Sequence, residues 1–315
     1  MKYQPLAILS VCALLLVSYQ NCDKNMSFMG SNQSASKSGE PDVLPGEVDV
    51  EDPNNLPPVA DPEEEDYDHD GKRMPFRCVA GSRSDLADLE NLASSVSAQD
   101  DKNLSKVHTF RMVIDKARNL SVARFHGSLL VKKALSSNLR DLHGLSFVVN
   151  SAEVNSLDES HAAIVGVRSL KLKSLTKVRA GVTLAAAREI GTIDDVRTAH
   201  LCVSGSQIDS VTNVHTAYLK IVGREDNAAK ATARNVANLR GFASIKKINV
   251  ASISDVRGYL IIRDSEIEEI SNVRGEIVLI NSKVKTLKDM QGILRTKNST
   301  IDAKVDVNVN SFRLP

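Results

Sequence analysis

The sequence predicts an all-β fold: a parallel β-solenoid of about eleven coils of 17–18 residues, closed at its N-terminal end by a capping helix. Three observations predict it. The stretch Val256–Asn272 begins again at Val273-Arg274-Gly275, and its apolar positions, counted from the glycine, fall at +2, +4, +9, +12 and +15. That spacing fits neither the helical period of 3.6 nor the unbroken alternation of a strand, but it does fit one turn of a stacked coil. The 315 residues are 42% apolar with only 4% aromatics and no Trp, a composition of many small aliphatic positions. Charge and proline break sharply at one place. Residues 1–75 carry 5 basic and 14 acidic residues, net −9, against 35 and 25, net +10, in the remainder, and every proline except Pro315 lies at or before Pro75. The folded body therefore begins near Phe76.

Residues 1–22 read as an export signal. Lys2 is a minimal basic region, and Leu6–Val17 is an apolar stretch too short for a bilayer, which takes about 20 residues. Cys22 follows closely and resembles the lipid-modified cysteine of bacterial lipoproteins, departing from that motif at Gln20 and Asn21. The resemblance implies a membrane lipid anchor on Cys22. The alternative is ordinary signal cleavage and a free exported protein. Residues 23–75 are rich in Pro, Ser and Asn and hold 13 acidic residues between Glu40 and Asp70, too little apolar surface to offset the entropy of ordering, so a disordered tether is expected. Its end, Asp66-Tyr67-Asp68-His69-Asp70-Gly71, opens like a calcium loop, but Arg77 stands where the bidentate Glu belongs, and a solvated acidic run is the reading taken.

Residues 76–109 are expected to form the helical cap. Leu86, Leu89, Ala93 and Val96 share one stripe of a helix over 84–96 that Ser82 or Ser84 caps. From 110 to 315 runs the solenoid, with unit starts at Phe110, Gly127, Gly144, Ala162, Ala180, Thr198, Thr216, Gly241, Gly258, Gly275 and Gly292. In the 18-residue units the extra residue sits before the first strand. The single 25-residue step holds an insertion near Arg224–Lys230. Positions two apart, such as Leu260 and Ile262, are the inward face of a short strand, and stacking the coils at about 4.8 Å closes a thin aliphatic core.

The line Val273-Arg-Gly-Glu-Ile277-Val-Leu279-Ile-Asn-Ser282-Lys-Val284 resembles the leucine-rich repeat, more closely its receptor L-domain variety. It departs in having Ser265, Ser282 and Ser299 where Asn usually stands. With 17 residues there is no room for an outer helix, so a compact solenoid is expected in place of a curved horseshoe. The resemblance implies a recognition surface and no chemistry.

The sharpest constellation is a cationic ladder one residue before each unit start: His126, His143, His161, Arg179, Arg197, His215, Arg240, Arg257 and Arg274. Two residues earlier in each unit runs Asp141, Glu159, Asp195, Asn213, Asn238, Asp255, Asn272 and Asp289, broken by Lys177. One reading has the two columns satisfying one another, since like charges stacked at strand spacing repel. The other is a linear binding site for an extended polyanion such as an anionic polysaccharide, or for a surface protein, with histidine making it pH-dependent. Nucleic acid is disfavoured by the scarcity of stacking aromatics. The acidic run 40–70 is a candidate internal competitor for the ladder.

Cys78 and Cys202 remain once Cys12 and Cys22 are set aside. Cys202 lies between inward residues and should point outward, so the readings are a Cys78–Cys202 bridge, which needs the 79–109 segment to run alongside the coils, or two unpaired thiols. Neither a catalytic motif nor a cofactor site is found. His126, His143 and His161 in a straight line do not converge on a tetrahedral metal, and no metal is expected. The expectation is a non-enzymatic binding or adhesion protein of the cell envelope, in the outer membrane, at the cell surface or in the periplasm. A structural or self-assembling spacer is the alternative, and a polysaccharide-active β-helix enzyme the less favoured one.

Overall fold

The computed structural model describes residues 100–224 and 230–314. The chain divides into two units, Met1–Asp61 and Pro62–Pro315, and all described residues belong to the second. The signal, Cys22, the acidic tether with its calcium-like run, Cys78 and the expected helix over 84–96 lie outside the described residues.

What is described is a parallel β-solenoid. β1 (Lys102–Ile114), β2 (Ala117–His143), β3 (Ser146–Gly205), β4 (Gln207–Gly223), β5 (Ala231–Lys246), β6 (Ile248–Arg263), β7 (Glu266–Ile280), β8 (Lys283–Lys297) and β9 (Thr300–Arg313) pair in chain order. β2 and β3 each run through more than one coil. The stack starts ahead of the expected Phe110. Leu104 and Val107 pair with Val122 and Phe125 in the register of the core columns, so residues 102–109 are strand and the coils number about twelve.

The columns follow from the repeat. Val250, Ile267 and Val284 stack in one, Ile253, Ile270 and Leu287 in the next, Leu260, Ile277 and Leu294 in a third, and all are buried. The ends differ. At the C-terminal end the same columns receive Lys304 under Leu287, Ser311 under Leu294 and Arg313 under Thr296. Charges and hydroxyls in core columns stop a further coil from stacking at low cost.

A glycine corner turns each C-terminal coil. Gly241, Gly258, Gly275 and Gly292 have φ from 115° to 139°, and a Cβ on Gly275 would lie 1.9 Å from the Gly258 carbonyl oxygen, so only glycine fits. In the 18-residue coils two residues take the place of that glycine, as in Thr216-Ala217 against Gly241, where the register shifts between His215 and Tyr218. The Thr216 hydroxyl secures that wider corner, lying 3.0 Å from the Ala199 carbonyl and accepting from the Tyr218 amide at 3.1 Å. In the first coil the extra residue is Phe110, 84% exposed.

Candidate functional site

The polar column beside the ladder has a backbone cause that the sequence reading missed. Lys106, Arg124, Asp141, Glu159, Lys177, Asp195, Asn213, Asn238, Asp255, Asn272, Asp289 and Asp306 all have φ between 48° and 56°. This is the left-handed corner of each coil, which Asn and Asp adopt with least strain. A second left-handed column, Lys247, Asp264, Asn281 and Asn298, marks only the C-terminal coils. Beside it Ser265 and Ser282, which are buried, and Ser299, which is half-buried, act as a ladder. Ser265 Oγ donates to the Arg263 carbonyl at 2.7 Å, Ser282 Oγ to the Ile280 carbonyl at 2.7 Å, and the Ser282 amide donates to Ser299 Oγ at 3.0 Å.

The cationic residue stands two positions after the left-handed corner and projects outward. Strand pairing and ring stacking align His126, His143 and His161, add His108 before them, and align Arg197, His215, Arg240, Arg257 and Arg274, with Arg179 between the two runs at the 18-residue step. The line then divides into three. His108, His126, His143 and His161 are stacked imidazoles, with ring centroids 4.5, 5.2 and 4.9 Å apart and planes within 14° of parallel. They present faces to one another, and His143 Nε2 meets Asp141 Oδ1 at 2.8 Å. The middle rungs are paired through the corner column. Arg179 donates to both carboxylate oxygens of Asp195, at 3.0 and 2.8 Å, and to its carbonyl at 2.6 Å. Asp195 is held below the usual carboxylate range chiefly by that hydrogen bond. Lys177, the break in the acidic column, donates to Glu159 one coil back at 3.1 Å and is held above the usual lysine range by it. His215 lies between Arg197 and Arg240 in the stack, and burial first, then those two cations, push its imidazole down.

The C-terminal rungs are different. There the corner column pairs with itself: Asn238 Nδ2 donates to Asn213 Oδ1 at 2.6 Å, and the Asn272 amide donates to Asp255. Among the described residues, the guanidinium groups of Arg240, Arg257 and Arg274 make neither a hydrogen bond nor an ion pair, and all three residues are exposed. They are in direct register, so three guanidinium groups rise from adjacent strands about 4.8 Å apart.

No protein-family model, curated protein or solved structure matches the chain. Its own geometry therefore carries the functional argument.

A second surface feature had no signal in the sequence reading. Thr232, Asn249, Ala251, Glu266, Glu268, Lys283, Lys285 and Asp302 line an open groove of about 520 Å³. Its charges are of both signs and several are paired, Lys230 with Glu266 at 2.6 Å and Lys283 with Asp302 at 3.4 Å. It thus selects no sign of ligand as clearly as the arginine rungs do. Periodicity hides such a groove, because it comes from which outward positions carry short side chains.

Proposed function

We propose that the chain is an exported, non-enzymatic binding protein of the bacterial cell envelope, held to a membrane through a lipid on Cys22, and that its solenoid binds an extended anionic ligand such as an acidic polysaccharide along Arg240, Arg257 and Arg274. The observation that carries this reading is the unpaired state of those three arginines. Stacking three cations with no counter-charge opposes folding by about 1 kcal/mol per neighbouring pair even in water. A polymer with regularly spaced anions relieves that repulsion, and each neutralised anion releases a counterion. The L-domain-like repeat line supports a recognition role in the same direction.

The spacer reading is weaker for a stated reason. Lys304, Ser311 and Arg313 occupy core columns at the last coil, which disfavours end-to-end stacking there. The test is retention of the full chain on a column of immobilised heparin across a salt gradient. Early elution of the Arg240/Arg257/Arg274→Ala variant supports the reading, and unchanged elution overturns it. Fractionation of cells carrying the native chain or Cys22→Ser tests the anchor separately.

A further inference from the structure

Cys202 is disulfide-bonded. It points outward from the centre of the face that follows the glycine corner, between the buried Leu201 and Val203. No other cysteine lies among the described residues, so its partner is Cys12, Cys22 or Cys78. Only Cys78 belongs to the same compact unit as Cys202.

The outward row that contains Cys202 has an unusual composition. Val113 pairs with Leu130 and Leu130 with Val148, Gly166 packs on Val148, and Leu184 follows at the 18-residue step. From the first coil to Leu184 this row is apolar without a break, and Val113 and Leu184 are among the few exposed large hydrophobic residues described. A row of that kind on an outer sheet face marks a surface built to be covered. Beyond Cys202 the row is less exposed, with Ser244 and Ile261 half-buried. Lys220 and Val278, in the row of Cys202, are 8% and 4% exposed, and Ile280 beside them 8%. The Tyr259 hydroxyl on the adjoining row is pushed up to about 12, by burial first and by Glu276 second. The strands of a single-layered solenoid meet only their neighbours in the stack and cannot cover their own outer side.

We propose that Cys202 is bridged to Cys78, and that residues 79–99 run back from it along the apolar row as an amphipathic helix, strapping the N-terminal segment to the outside of the solenoid. The lengths agree. Cys202 stands about five strand spacings, roughly 24 Å, from the first coil. The helix expected over 84–96 spans about 20 Å at 1.5 Å per residue, and the residues flanking it cover the rest. Its stripe of Leu86, Leu89, Ala93 and Val96 is the apolar partner that Leu130, Val148 and Leu184 lack among the described residues. In forming the bond the two thiols give up two protons and two electrons to a disulfide-bearing oxidoreductase of the export compartment, which leaves as its dithiol. Bond formation in cells rests on the export reading, but the geometry does not.

The test uses the full chain, reduced and then reoxidised with oxidised glutathione, which separates the geometry from export. Tryptic mapping without reductant is expected to yield residues 78–83 linked to 198–220, a species lost on reduction. Limited trypsin digestion of the folded chain is expected to cut after Arg83 at least tenfold faster in Cys78→Ser, and also in Leu86→Asp/Leu89→Asp, whose bridge stays intact. Linkage of Cys202 to Cys12 or Cys22, or cleavage after Arg83 at one rate in all three proteins, overturns the proposal. Cell fractionation reports on export independently of either result.

Discussion

Arg179 and Arg257 stand on the same ladder four coils apart and differ in almost everything but residue type. Arg179 is half-buried and closes a bidentate pair with Asp195 on the next coil. Arg257 is exposed, and its neighbours above and below in the stack are arginines. The cause lies in the corner residue. At Asp141 and Asp195 the corner carboxylate reaches the ladder, meeting His143 and Arg179. Where the corner is Asn, or an Asp already accepting from an Asn, the corner column consumes its own hydrogen-bonding capacity and leaves the cations alone. The same corner position can thus either neutralise a rung or expose it, and what the corner side chain bonds to decides which.

The largest expected effect separates the two coil types. Gly275→Ala places a methyl 1.9 Å from a backbone oxygen at a φ of 139°, in a stack whose neighbours are fixed. A loss of about 3 kcal/mol or more is expected, as for other strained backbone sites. Ala199→Gly, at the two-residue corner of an 18-residue coil, is expected to cost about 1 kcal/mol or less. Urea midpoints for both variants check the contrast, and equal losses would show that the corners are mechanically alike.

The second effect concerns binding. In the Arg240/Arg257/Arg274→Ala variant the slope of log affinity for heparin against log salt is expected to fall by about 2, as three ionic contacts at roughly 0.7 counterions each are lost. Arg179→Ala is expected to leave that slope unchanged, because its guanidinium is already engaged. Titration at three salt concentrations decides, and an equal fall in both variants would erase the distinction between paired and unpaired rungs.

Stability is expected to respond in the opposite order. Arg179→Met removes a partly buried bidentate pair and leaves the Asp195 carboxylate without its main partner, at a cost of about 1–2 kcal/mol. Arg257→Met relieves repulsion from both sides and is expected to be neutral or stabilising by up to about 1 kcal/mol. Thermal and urea unfolding of the two variants give the sign directly.

Much of this could be read from the residues alone, because a stacked coil writes its core into the sequence at a fixed period. Leu260, Ile262, Ile267, Ile270 and Val273 are all buried as their spacing requires, and the insertion falls where the step lengthens. The ladder was legible for the same reason. Its division was not. Whether Asp255 serves Arg257 or Asn272 depends on side-chain reach across a corner, and periodicity carries no information about reach. The corner column itself looked like a charge pattern, and Lys177 looked like a break in it. Backbone conformation explains both, since a left-handed φ is what the column shares and charge is secondary. Ser265, Ser282 and Ser299 were visible as a departure from the leucine-rich line, yet their inward turn and their bonds to carbonyls follow from a corner that the apolar pattern does not encode.

The smallest effect expected is one of pH, and it probes the junction between the paired and unpaired halves. His215 lies between Arg197 and Arg240 in the stack, with Asp195 and Arg179 also acting on it, and its imidazole is pushed below the usual range by burial first and those arginines next. A group depressed in this way stays neutral in the folded chain while the unfolded chain takes up a proton. Its contribution is therefore complete above the unfolded value of about 6.5 and is lost as pH falls below it. Asp195 is depressed too, but for a carboxylate the loss begins only near pH 4 and below. The two are thus separable. Stability measured by urea unfolding at pH 7.5 and 5.5 is expected to drop less in His215→Gln than in the native chain, by under about 1 kcal/mol given solvent screening, while the further drop between pH 4.5 and 3 persists in that variant and shrinks in Arg179→Met. A native chain with the same stability at pH 7.5 and 5.5 would mean that neither burial nor the neighbouring arginines depress His215.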